Sequence, residues 1–276
     1  MTTSKPNGLI LGLLAETYVH PGAGQSEGAI DLPVAREKTT DYPFVPGSGV
    51  KGAMRDRALL EARAAASGKA NDLEEAVKAA LERLGLLSAI RAVLEEAKKR
   101  LDRVPDIARC AAESAVEPIY GKTDTAGDLL FSDAKLLLLP VRSLTGAYKW
   151  LTCPYLIERW ERDRTRAGVA GAAAPNRDDL IEKLKPAQEE DTPKVLLAQG
   201  QSKLFLEERV FDIVADKSLI DQLVTLVAPL LGDEMDPIVK RVRGRLRDQL
   251  AVVRDEDLAF FARYALPVHA RNVAGE

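Results

Sequence analysis

An α+β fold is predicted by three features of the sequence. Two apolar runs of strand character, Gly8 to Val19 and Gly127 to Val141, are far apart in the chain. A third segment, Val195 to Ala215, alternates near period two around polar QGQSK and EER. Helical periodicity fills the stretches between them, and strands gathered into helix-separated groups fit α+β better than regular β-α-β alternation.

Taken in order, Gly8–Val19 (GLILGLLAETYV) is bounded by glycine and His-Pro and reads as a buried strand. Residues 20–47, glycine- and proline-rich without helical period, read as a long functional loop. Ser48 stands at a preferred N-cap position, predicting a helix from Gly49 to about Ala66. Within 71–103, Leu73, Val77, Leu81 and Leu84, then Ile90, Val93, Ala97 and Leu101, mark two amphipathic helices. After the strand at Gly127–Val141, a helix is expected from about Ser143 to Arg164, with Tyr148, Leu151, Tyr155 and Leu156 inward. Residues 165–193, Ala/Gly/Pro-rich and then charged, read as a mobile connection. A hairpin with a polar tip follows at Val195–Ala215, then helices at about 216–231 and 236–249. A strand near 250–253, a helix at Asp255–Tyr264 and a strand at Pro267–Asn272 complete the series.

The 276 residues carry 39 Lys plus Arg against 42 Asp plus Glu, a net charge of −3. A free-standing nucleic-acid binder is usually basic, so any such binding needs a local groove or many copies acting together. Aromatics at 5% argue against base stacking as the main contact. Cys110 and Cys153 match no metal-ligand spacing and read as reduced, core-facing thiols of a cytoplasmic protein. No signal peptide or membrane span is expected.

Chemistry concentrates between His20 and Arg55. GSGVKG is not a nucleotide-binding P-loop, because Gly52, not Ser or Thr, follows Lys51 and the spacing differs. Two readings remain: a helix start with solvated cations, or a phosphate site made of backbone amides with Lys51 and Arg55 on one helix face. Gly47, Gly49 and Gly52 favour the second, since bare backbone is useful where something approaches closely. Asp31 is either a turn-former or a catalytic carboxylate. His20 is either a proton shuttle or a strand-end residue. His269 reads as structural. Lys240, Arg241, Arg243, Arg245 and Arg247, with acids nearby, read as a solvated helix face.

The segments HPGAG, IDLPVARE, YPFVPGSGVKGAMRD, GDLLFSDAKLLLLPVRS and GAYKWLTCPYLIERW resemble the backbone subunits of type III-B (Cmr) CRISPR effectors, within the RAMP superfamily. The resemblance spans residue 8 to about 270. It implies one domain over 1–276, an RRM-like (ferredoxin-like) palm with a helical insertion at about 56–120. The mobile connection would lie at about 165–193 and a protruding β-hairpin thumb at about 194–215. It further implies copies stacked along a guide crRNA beside other Cmr subunits, with no membrane partner. Each copy would cut the complementary target RNA with a divalent metal, Mg or Mn. Carried over, the cleavage aspartate and metal contact fall on Asp31. The guide-binding turn falls on Gly47, Ser48, Lys51, Gly52 and Arg55, and Arg36 matches a loop position near the RNA. Two alternatives stand beside this one: a non-catalytic crRNA scaffold, and a guide-processing ribonuclease using His20.

Overall fold

A computed structural model describes residues 8–15, 17, 19–22, 34–67, 116–168, 177–184, 193–200, 202–232 and 235–266. The chain forms two compact units, one of Met1–Leu9 and Val45–Ala134, the other of Ile10–Phe44 and Lys135–Glu276. The helices expected within 71–103 and the strand at 267–272 lie outside the described residues, as do Cys110 and His269.

The larger unit is built on six strands: β5 (Leu139–Arg142), β6 (Tyr148–Thr152), β7 (Lys194–Leu197), β8 (Lys203–Leu206), β9 (Arg209–Ala215) and β10 (Leu250–Val252). Their spatial order is β5-β6-β10-β7-β9-β8. β10 runs parallel to β6, with Leu250 opposite Trp150, and β7 parallel to β9, with Lys194 opposite Asp212. The remaining neighbours are antiparallel.

Alternation decides which face each residue serves. Val195, Leu197, Ala251, Leu204, Leu206 and Phe211 join a core with Leu258 and Phe261 of the helix Asp255–Tyr264. Leu196, Leu250 and Val252 point the other way, onto the helices Lys217–Val227 and Pro237–Gln249. Strands β7 and β10 are therefore apolar on both faces, as central strands must be. The first of those two helices is capped by Asp216, whose carboxylate accepts the Leu219 N–H at 2.9 Å.

The sheet curls until its edges meet. Ser143 bridges Leu206, and the Glu207 N–H donates to the Arg142 carbonyl at 3.0 Å. Each edge strand thereby finds partners for its open backbone groups. The hairpin expected at about 194–215 is present as the antiparallel β8–β9 pair of this sheet. Leu204, Leu206 and Phe211 alternate inward, and their burial draws the hairpin onto the core.

Other expectations change as well. Tyr148–Thr152 is strand, and the helix after it starts at Pro154, running to Arg166. Proline at the first helical position lacks only an N–H that would have no intrahelical partner there. The supposed mobile connection contains a helix, Arg177–Leu184, whose Leu180 and Leu184 are buried. Residues 8–15 form no strand, and Leu9, Leu11, Leu13, Leu14 and Val19 are exposed. An apolar run forms a buried strand only where neighbouring backbone pairs with it.

In the smaller unit, α1 (Gly47–Ser67) precedes helical residues 116–120 and a hairpin of β2 (Gly121–Lys122) with β3 (Thr125–Ala126). The strands β1 (Phe44–Val45) and β4 (Ala134–Lys135) form a separate two-stranded ribbon. No helix among the described residues is long and apolar enough to cross a membrane.

The helices of the larger unit are α2 (Pro154–Arg166), α3 (Arg177–Leu184), α4 (Lys217–Val227), α5 (Pro237–Gln249) and α6 (Asp255–Tyr264).

Candidate nucleic-acid interface

Helix α1 begins two residues earlier than the sequence suggests. The Pro46 carbonyl accepts the N–H of Gly49 at 2.9 Å and of Val50 at 3.1 Å, so Ser48 lies inside the first turn and is not its cap. The first N–H, on Gly47, donates instead to the Asp133 carboxylate at 2.8 Å. Nothing in sequence pairs these residues, which stand 86 apart.

The three glycines of the turn serve two purposes. A Cβ on Gly47 would lie 2.8 Å from the carbonyl oxygens of both Phe131 and Ser132, so glycine there admits the chain's own backbone. At Gly49 and Gly52 a Cβ would meet nothing within 4 Å. These two leave an open, side-chain-free strip beside the helix start. Lys51 and Arg55, one turn apart, are half-buried and have no ion pair among the described residues. The Arg55 Nε is buried without a hydrogen-bond partner. Arg57, by contrast, pairs with Glu61. Unpaired cations beside bare backbone at the positive end of a helix form an anion-binding surface.

In the larger unit, the loop expected to carry the reactive carboxylate is closed at its base. Gly22 bridges Val34, and the Ala35 N–H donates to the Pro21 carbonyl at 2.8 Å. Residues 23–33, Asp31 among them, lie outside the described residues. His20 is exposed just ahead of this neck.

Beyond the neck the chain is tied down residue by residue. Arg159 of α2 is buried, and its Nη1 donates to both Glu37 oxygens at 2.8 and 2.9 Å, while Nη2 donates to the Leu136 carbonyl at 2.8 Å. The Thr40 hydroxyl donates to Glu37 at 2.6 Å. Arg36 turns inward: its Nη1 donates to the carbonyls of Asp41 at 2.7 Å and Ala262 at 3.0 Å. Arg36 thus helps anchor the loop base to α6. Below it, burial and the nearby Asp255 push the Cys153 thiol well above its ordinary value, while burial and Cys153 do the same to the Tyr42 hydroxyl. Cys153 is a buried free thiol, as the sequence suggested.

Among the described residues no group of three or more His, Cys, Asp or Glu is arranged to hold a metal ion. These residues do not furnish a metal centre by themselves. Sequence reasoning missed Asp133, Glu37 and Arg159, whose partners lie 86 and 122 residues away. Four of the five cations of α5, Lys240, Arg241, Arg245 and Arg247, are exposed as expected, with Arg247 paired to Asp221, while Arg243 is half-buried and donates to the Gly232 carbonyl at 3.1 Å.

Comparison with known proteins agrees with this architecture. The chain is 27% identical over 250 residues to the CRISPR system Cmr endoribonuclease Cmr4 of Pyrococcus furiosus, covering 90% of this chain and 64% of that protein. It therefore spans less than two thirds of that relative's length. The fold is similar to the crystal structure of oligomeric Cmr4 from Pyrococcus furiosus, with TM-score 0.57 at 22% identity, covering 93% of this chain and 73% of that one. A second crystal structure of Cmr4 matches with TM-score 0.51 at 22% identity, covering 90% and 69%. The family model of the RAMP superfamily matches residues 13–251, well over half of the sequence, and the chain belongs to that superfamily.

Proposed function

We propose that this chain is a guide-RNA-binding backbone subunit of a type III-B CRISPR effector, which cuts complementary target RNA at regular intervals. The observation that carries the proposal is the start of α1: unpaired Lys51 and Arg55 beside the bare strip at Gly49 and Gly52, in a chain of the RAMP superfamily. Ser48 and Gly52 lie on that turn, with Gly47 shaping it from below. The net charge of −3 is compatible, because repeated copies along one RNA multiply a locally basic turn.

Cleavage follows from RNA's own chemistry. The 2′-oxygen attacks the adjacent phosphorus, the bond to the 5′-oxygen breaks, and the products end in a 2′,3′-cyclic phosphate and a 5′-hydroxyl. Asp31 orients that 2′-hydroxyl, and displacement of the neighbouring base relaxes the backbone toward in-line geometry. Arg36, expected near the RNA, instead holds the loop base through the Asp41 and Ala262 carbonyls. Cutting requires a divalent ion, Mg or Mn.

The test is a complex reconstituted with guide and labelled complementary RNA. Asp31→Ala should abolish cutting while guide binding persists, a 2′-deoxynucleotide at the cut site should block it, and chelator should stop it. Cutting by Asp31→Ala at the wild-type rate removes the assignment. Intact assembly with no cutting under any condition makes the chain a crRNA scaffold. Cutting of unpaired guide precursor, lost in His20→Ala, makes it a processing enzyme.

A further inference from the structure

We propose that Asp133 is a positioning residue for the guide-binding turn, fixing where the phosphate sits and limiting how tightly each copy holds it. The inference rests on α1 being that grip. The Gly47 N–H is the first of the amides a helix leaves open at its start, and Asp133 occupies it at 2.8 Å. The carbonyl oxygens of Phe131 and Ser132 lie where a Gly47 side chain would begin. The segment 131–133 is therefore laid directly on the helix start, with the carboxylate as its tie.

No ion pair to Asp133 occurs among the described residues, so its charge acts uncompensated at the end of α1 that attracts anions. Two consequences follow. The incoming phosphate cannot use the Gly47 amide and settles on the flank of Ser48, Gly49 and Gly52, within reach of Lys51 and Arg55. Repulsion between the two anions then holds each grip below the strength of the bare helix end. Modest strength per copy suits a protein that binds one strand many times over.

Guide affinity of the full chain, measured from about 50 mM to 0.5 M salt, separates these effects. Asp133→Asn keeps an acceptor oxygen but loses the charge, and should bind about 2- to 5-fold more tightly than wild type at low salt. The gain should vanish at high salt, where the screening length falls to a few ångströms. Asp133→Ala loses the tie as well and should bind at least about 3-fold more weakly than Asp133→Asn at every salt concentration. Lys51→Ala is the control for the grip itself. If Lys51→Ala weakens binding but Asp133→Asn is no tighter than wild type, or equals Asp133→Ala, the inference about Asp133 fails. If Lys51→Ala binds as wild type does, the functional reading of α1 fails first.

Discussion

Substituting alanine at each glycine of the α1 turn should give opposite results from neighbouring positions. At Gly47 the new Cβ would sit 2.8 Å from two backbone carbonyl oxygens and 2.9 Å from the Ser132 carbonyl carbon. Backbone atoms cannot rotate aside as a side-chain tip can, so the helix or the 131–132 segment must move. Forcing an extra methyl into filled space costs about 1–3 kcal/mol. At Gly52 the methyl meets nothing within 4 Å, and alanine gains about 0.5–1 kcal/mol from its preference for helix. With about 2–4 °C per kcal/mol for a chain of this size, Gly47→Ala should lower the midpoint by several degrees and Gly52→Ala should raise it slightly. Guide binding separates the two again. Gly52→Ala and Gly49→Ala should weaken it several-fold although the protein is no less stable, because on the proposed reading the methyl would stand where the phosphate backbone approaches. Thermal unfolding by circular dichroism and fluorescence anisotropy with labelled guide read both quantities. A wild-type midpoint for Gly47→Ala would refute the close approach. Full-strength guide binding by a stabilised Gly52→Ala would refute the role given to the bare strip.

Three further outcomes are expected. Arg159→Met leaves the half-buried Glu37 without its cation and should cost about 1.5–3 kcal/mol in denaturant unfolding, with little rescue by Arg159→Lys, which lacks the two-pronged fork; a loss below about 1 kcal/mol would mean the loop base is held otherwise. The Cys153 thiol keeps its proton in the folded state, whereas the unfolded thiol ionises near its ordinary value of 9.0. The folded value is the higher one, so this contribution is complete below pH 9 and is lost above it, at up to about 1.4 kcal/mol per pH unit. Tyr42, ordinarily at 10.0 and also raised, should steepen the decline beyond pH 10, and Cys153→Ala should flatten the portion between pH 9 and 10. In the native protein Cys153 should resist alkylation by iodoacetamide at pH 8 and react on unfolding; rapid native labelling would place the thiol at the surface.

How far the sequence reveals this structure depends on the reach of each interaction. Helix α6 coincides with its expected bounds because its signals are local, with Asp255, Glu256 and Asp257 in the first turn and Arg263 in the last. Helix α5 and strand β10 follow from equally local patterns. Strand β6 escapes because Tyr148, Leu151 and Tyr155 fall at helical spacing, while Pro154 is the better marker of where the helix begins. The run from Leu9 to Val19 misleads for another reason: hydrophobicity records what a segment prefers, not whether a partner strand is present. Of the α1 turn, composition discloses the cations and glycines. It does not disclose that Gly47 serves the protein's own packing, because that depends on a segment far along the chain.

The closed base of the loop has an evolutionary consequence. Gly22, Val34 and Ala35 join two strands of backbone by main-chain bonds, and the Glu37–Arg159 tie lies wholly outside the span between them. The described bonds that anchor the loop base all lie outside the span between Gly22 and Val34, so changes within that span leave them in place. This makes the junction a natural place to transplant corresponding loops from other superfamily members, exchanging reactivity while the host keeps its architecture.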